Sequence, residues 1–245
     1  MKYPCENCKL RAQYDKNPKS LIGRFWRWQI NFCPSWRGYF KSLPPEKQEE
    51  LRKKYDFHKY RNATIRTMKK VIVISTSLRR GSNSDMLADQ FVKGAKAAGN
   101  EVEKISLVGK DIQFCKGCLG CQKLGRCVIS DDVNAIMEKV LRADVVAWAT
   151  PIYYYEMSGQ MKTLIDRMNA MYELDYQFRD VYLLSTAAEN EEQTPKRAEV
   201  GLTGWIDCYP KSRLAGTIFC GGVNDPREIE GNPKLQEAFE LGKGI

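Results

Sequence analysis

Three stretches of this 245-residue chain carry side chains whose types and spacing could do chemistry. The first is Ser75-Thr76-Ser77-Leu78-Arg79-Arg80-Gly81-Ser82-Asn83-Ser84, crowded with hydroxyls, an amide, two guanidinium groups and a glycine. Such a turn, running into a helix N-terminus, is a natural seat for a phosphate dianion. As a purely structural feature it would be a Ser-rich turn with an N-cap. It is neither G-x-x-x-x-G-K-[ST] nor G-x-G-x-x-G, so a P-loop and a dinucleotide fold are disfavoured. The second stretch is Thr150-Pro151-Ile152-Tyr153-Tyr154-Tyr155, whose three phenols present large apolar faces that need covering by a ligand, the same domain or a second subunit. The third is Cys115-x2-Cys118-x2-Cys121-x5-Cys127. Four thiols this close, separated by glycines, could wrap a [4Fe–4S] cluster or hold tetrahedral Zn2+. They could equally remain a metal-free, redox-sensitive or buried thiol patch.

Hydrophobic periodicity supplies the elements that must position these groups. Residues 71–75 form a continuous β-branched run, as in a buried parallel strand. Residues 82–98 have helical periodicity and end at Gly99-Asn100, a good C-cap. A strand follows over 101–107. Asp131 and Asp132 then open a helix to about residue 141, acidic groups favouring its N-terminus. Strands over 144–149, 181–185 and 214–220 alternate with helices over 158–172, 195–209 and 232–241. Five strands alternating with helices predict an α/β, doubly wound parallel sheet, whose ligands bind outside the carboxyl ends of the strands. The hydroxyl turn follows strand one and the tyrosines follow strand three. Ser185-Thr186-Ala187-Ala188 follows strand four, its small side chains allowing close approach to the backbone.

Residues 77–87, taken with 150–155 and with Gln160-Met161-Lys162-Thr163-Leu164-Ile165-Asp166-Arg167, resemble the NAD(P)H-dependent FMN reductase group of the flavodoxin-like superfamily, which includes the iron–sulfur flavoproteins. The similarity covers residues 69–245. It implies FMN as cofactor and NAD(P)H as co-substrate, with a quinone, nitro or azo compound, flavin or protein as electron acceptor. Carried over by position, Ser77, Arg79, Ser82, Asn83 and Ser84 would hold the FMN phosphate. Leu78 departs from the proline common in relatives, a change of loop stiffness more than of donor placement. Pro151, Ile152, Tyr153, Tyr154, Tyr155, Met157 and Ser158 would line the flavin ring and ribityl chain, and Thr186 and Ala187 would form a third contact. Lys162, Asp166 and Arg167 are expected on a helix surface or subunit interface. In the iron–sulfur flavoproteins the cysteine spacing serves a cluster near FMN that passes single electrons, so an electron carrier is the rival to a reductase. A homodimer or tetramer is implied as well. Because the cofactor would carry the chemistry, no catalytic side chain is required.

Composition narrows the alternatives. The single histidine, His58, excludes multi-histidine zinc sites and makes a Ser–His–Asp triad improbable. Nine cysteines without an apolar leader suggest reduced thiols and a cytoplasmic enzyme, with Cys208 and Cys220 expected in the core. Of the 39 basic and 30 acidic groups, residues 1–68 hold 16 and 6, leaving 23 and 24 for the rest. The basicity therefore belongs to a separate N-terminal module, 1–68, ahead of a flavin domain, 69–245. That module is expected to be small and mostly helical, with one helix through residues 21–32 and another opened by Pro44-Pro45-Glu46. Cys5, Cys8, Cys33 and His58 make a Cys3His zinc site arithmetically possible. Aromatics interleaved with Arg and Lys could serve nucleic acid or a membrane surface, or make a redox-responsive binding protein. Burial against the flavin domain or a second subunit is the simpler expectation, since so short a piece has little core of its own.

Overall fold

The computed structural model describes residues 5, 8–57 and 68–245. The chain divides into two compact units, Met1–Thr67 and Met68–Ile245.

The larger unit is a flavodoxin-like α/β layer structure. Its parallel strands are β1 (Lys70–Ser75), β2 (Glu101–Ser106), β3 (Val145–Tyr153), β5 (Asp180–Thr186) and β6 (Arg213–Cys220), in the order β2-β1-β3-β5-β6. The five expected strands are thus present, and a sixth, β4 (Glu156–Met157), pairs antiparallel with the end of β3. Two residues are too few to show as periodicity, which is why β4 escapes the sequence. Strand β3 also runs four residues past its expected end, so Pro151, Ile152 and Tyr153 lie on a strand and not in a loop.

Every internal strand is buried on both faces, as helix-covered parallel sheets require. Ile72, Ile74, Val146, Trp148 and Leu183 point to one side. There they meet α7 (Val133–Leu141), α8 (Gly159–Arg167), a 3-10 turn (Met168–Met171) and α9 (Lys196–Asp207). Val71, Val73, Val145, Ala147 and Leu184 point to the other side, against α5 (Asn83–Ala97) and α10 (Pro233–Lys243). Helices α5 and α10 approach until backbones touch. A Cβ at Gly94 would sit 1.9 Å from the Phe239 carbonyl oxygen, and one at Gly242 would sit 2.2 Å from that of Phe91. Local sequence starts the helices: the hydroxyls of Ser82 and Ser158 cap α5 and α8, and the Asn232 side chain caps α10 ahead of Pro233.

The smaller unit holds α1 (Lys9–Lys16), α2 (Leu21–Gln29), α3 (Pro34–Ser42) and α4 (Pro45–Tyr55). It builds its own aromatic core from Trp26, Trp36, Phe40, Tyr55 and Phe57. Trp26 meets Trp36 and Tyr55 edge-on at centroid separations of 5.4 and 4.9 Å. Edge-to-face ring packing concentrates enough apolar area in these five side chains to form a small core, while Phe25, Trp28 and Phe32 stay exposed. Among the described residues, no helix is long and apolar enough to cross a membrane.

Candidate functional site

Because the sheet is parallel, the loops after β1, β3, β5 and β6 leave from one edge. The strand order reverses between β1 and β3, where α/β sheets of this type place ligands. Loop one spans residues 76–82. Thr76 anchors it, its Oγ1 donating to the Ala149 carbonyl at 2.9 Å and lying 3.0 Å from the Ser158 hydroxyl. The Ser158 amide in turn donates to Thr150 Oγ1 at 3.0 Å. This buried hydroxyl chain fixes the hydroxyl turn to the tyrosine segment. Ser158 is therefore occupied as a strut and as the cap of α8.

Past Thr76 the turn is open. The backbone N–H groups of Leu78, Arg80 and Gly81 meet no acceptor among the described residues, and they precede the N-terminus of α5. Ser77 Oγ accepts from the Arg79 amide at 3.3 Å, and the Ser82 and Ser84 hydroxyls are 3.0 Å apart. Free amides, hydroxyls and the positive end of a helix suit an anion. Asn83 has a different job: its amide donates to the Asp225 carbonyl and its oxygen accepts from the Ile229 amide, at 2.9 and 3.2 Å. Arg79 reaches the Asn224 carbonyl at 2.5 Å, and the Arg227 amide donates to the Gly81 carbonyl at 2.9 Å. The segment after β6 is thereby stapled onto loop one.

The loops enclose a cleft of about 170 Å3. Arg79, Ser82, Asn83, Pro151, Ile152, Tyr153, Thr186 and Ala187 line it, so eight of the fourteen residues expected from sequence come together. Ala188, Val223, Asn224 and Pro226 complete the wall. The last three were missed, and their only sequence signal is a position after a parallel strand. Ser77, Ser84, Tyr154, Tyr155, Met157 and Ser158 are not in the lining; Ser84 and Ser158 are fully buried. The cleft is smaller than pockets that enclose a whole cofactor. It suits a phosphate and its polyol arm, with a flat ring extending over the tyrosine rim.

That rim is strained. Tyr154 and Tyr155 form the β3–β4 turn with φ of 50° and 66°. Two successive positive φ values are the hairpin geometry that normally takes Asn-Gly, and aromatic residues adopt it at a cost. Tyr154 is 97% exposed. Tyr155 donates its hydroxyl to Glu189 at 3.2 Å, and that carboxylate pushes the phenol's pKa up. The tyrosine turn is thus tied to the loop after β5.

The cysteine loop lies after β2 and contains α6 (Gly120–Leu124). Cys115 and Cys118 are exposed, Cys121 is half-buried and Cys127 is buried. Arg167, expected on a surface, is 1% exposed and organises this region. Its Nη atoms donate to both Asp131 carboxylate oxygens at 2.6 and 2.9 Å, and one also reaches the Gln113 carbonyl at 2.6 Å. Its Nε lies 3.2 Å from Cys127 Sγ, while Asn169 Nδ2 lies 3.4 Å from Cys121 Sγ. Burial works to raise the Asp131 pKa, but the guanidinium and the amides of Gln113 and Val133 outweigh it and hold the carboxyl below its usual range. The donor set is chemically apt for iron or zinc. Among the described residues, however, no three Cys, His, Asp or Glu side chains are gathered round one point as a metal needs.

The same holds for the N-terminal thiols, whose fourth candidate partner, His58, lies outside the described residues. Cys5 is buried, and its pKa is pushed up to about 11 by burial and by the neighbouring Cys33 and Cys8. Cys8 and Cys33 stand at the N-caps of α1 and α3. Cys220 is buried as expected, but Cys208, at the end of α9, is exposed. The last turn of α9 rotates it off the core face that Trp205 and Ile206 occupy.

Residues 69–200 match the family described as NADPH-dependent FMN reductase. An iron–sulfur flavoprotein of Archaeoglobus fulgidus is 40% identical over 99 residues, 40% of this chain and 45% of that protein. One from Methanocaldococcus jannaschii is 36% identical over 111 residues, 45% of this chain and 57% of that one. The match thus spans about half the length of these relatives. In the solved structure of an azoreductase from Bacillus anthracis, all of that chain superposes on 73% of this one, with a TM-score of 0.58 at 17% identity, a likeness of fold. With the open anion turn, the switch-point cleft and a family match over more than half its length, the chain belongs to the NADPH-dependent FMN reductase family.

Proposed function

We propose that the unit Met68–Ile245 binds FMN and uses it to oxidise NAD(P)H, passing electrons to a quinone, nitro or azo compound, free flavin or protein acceptor. The observation that carries this reading is the convergence, at one switch-point edge, of an open amide turn at the start of α5 with the walls formed by Pro151–Tyr153 and Thr186–Ala187. The Leu78, Arg80 and Gly81 amides and Arg79 would hold the phosphate. Tyr153 and the strained Tyr154–Tyr155 turn would support one face of the ring. When bound, FMN supplies hydride acceptance and electron transfer that no side chain here provides. The protein's part is orientation: the Thr76–Ser158–Thr150 chain keeps phosphate seat and ring support at fixed separation. Purified protein titrated with FMN is expected to quench flavin fluorescence to a sharp endpoint and then to oxidise NADPH or NADH. No quenching at saturating FMN would refute the reading.

A second reading, an electron carrier with a [4Fe–4S] cluster on Cys115, Cys118, Cys121 and Cys127, is favoured by one observation. Two of the four sulfurs already accept N–H donors, from Arg167 and Asn169, as metal-bound thiolates commonly do. Anaerobic preparation with iron, sulfide and zinc analysis distinguishes cluster, zinc and free thiols. A homodimer or tetramer is part of the proposal, checked by light scattering.

A further inference from the structure

Helix α2 is apolar on two sides, and its unit's core uses only one. Trp26 and Ile30 face the aromatic core, and Gly23 lies close against the Asn17–Ser20 turn. Leu21, Ile22, Phe25 and Trp28 project from the opposite side, Leu21 83% and Trp28 61% exposed. At the α-helical period these four share one sector of the surface. The rings of Phe25 and Trp28 lie 6.0 Å apart, centroid to centroid, making a continuous apolar ridge. Arg24 borders the ridge and is exposed. In sequence, residues 16–45 flanking the ridge contain Lys16, Lys19, Arg24, Arg27, Arg37 and Lys41 and no Asp or Glu, Arg27 being paired with Asp56.

We propose that this face is a peripheral membrane anchor that lays α2 on an anionic lipid surface. The apolar ridge enters the boundary between headgroups and acyl chains, and the surrounding cations meet lipid phosphates. Exposed apolar patches on soluble units mark contact sites, and here charge selects the partner. A ridge mixing aliphatic and aromatic side chains, rimmed by cations, has the composition that anionic interfaces hold. Single-stranded nucleic acid would employ the rings for stacking but would leave Leu21 and Ile22 without a role. A second copy of the same face would bring Arg24 and the cations beside it against their own like charges. The anchor is independent of the flavin reading, since it uses none of the cleft residues.

The test is co-sedimentation of the full-length protein at low ionic strength. One set of vesicles is phosphatidylcholine alone; in the other, phosphatidylglycerol replaces part of it. The protein is expected to sediment with the anionic vesicles and to stay in solution with the neutral ones. Phe25→Ser/Trp28→Ser should abolish sedimentation, and Arg24→Glu should weaken partitioning by about tenfold. FMN titration of each variant checks that the other unit is unperturbed. Absence of binding to anionic vesicles overturns the proposal, as does equal binding by neutral ones. Retention on a single-stranded oligonucleotide without vesicle binding overturns it in favour of nucleic acid. A drop in oligomer mass for the double variant, again without vesicle binding, overturns it in favour of a second copy. Should the double variant not fold, Arg24→Glu decides, because unchanged partitioning then defeats the idea.

Discussion

At the scale of single residues, Arg79 and Tyr154 carry opposite burdens. Arg79 is held across the cleft by the Asn224 carbonyl, ready to meet an anion without reordering a long side chain. Replacing it with alanine should weaken FMN affinity roughly 10- to 100-fold, the worth of one charge-assisted hydrogen bond. Fluorescence titration measures this, and an unchanged dissociation constant would place the phosphate elsewhere. Tyr154 sits at φ 50° with almost its whole side chain in solvent. A left-handed non-glycine residue costs about 1–2 kcal/mol. Tyr154→Gly should therefore raise the unfolding temperature of the ligand-free protein by about 2–8 °C while weakening FMN binding. Stability and affinity moving in the same direction would show that the turn is not strained for its ligand.

At the scale of elements, the decisive joint is between α8 and the cysteine loop. Arg167 fastens Gln113 and Asp131, the two ends of that loop, and touches Cys127 between them. Both side chains of the Arg167–Asp131 pair are shielded from solvent. Arg167→Met leaves a buried carboxylate unpaired and should cost about 3–5 kcal/mol in urea unfolding. Adding Asp131→Asn should recover part of that loss. The pair also sets a pH dependence. Asp131 titrates below its unfolded value, so its contribution is complete above the ordinary carboxylate range and is lost as the pH falls through the depressed folded value. The wild type should thus lose stability on acidification over this window more steeply than the Asp131→Asn variant. The α5–α10 contact makes a second prediction. A methyl at Gly242 meets the Phe91 carbonyl and not a yielding side chain. Gly242→Ala should destabilise by about 1–3 kcal/mol, seen as a lower urea midpoint.

At the scale of the whole molecule, two units of different charge character are joined in one chain. The larger is close to neutral and carries every residue of the cleft; the smaller is basic and has its own aromatic core. A protein beginning at Met68 is expected to fold and to bind FMN with unchanged affinity, measured by the same titration. Loss of flavin binding on that truncation would mean that the N-terminal unit completes the site.

What could be read from the amino-acid order alone is what local physics dictates. A β-branched run declares a buried strand, a Ser hydroxyl three residues before an amide starts a helix, and the two together point the open turn at the carboxyl edge. Five parallel strands, the hydroxyl turn and the tyrosine segment follow from interactions within a few residues. Tertiary structure alone decided the rest, because the groups concerned meet across long stretches of chain. Asn83 and Arg79 join the segment around Asp225 over more than 140 residues, and Arg167 reaches Cys127 over 40. No periodicity records such pairings. A guanidinium on a helix reads as surface until the fold sets a carboxylate and a thiol beside it, and an aromatic ridge is known to be exposed only once the core has chosen its other face.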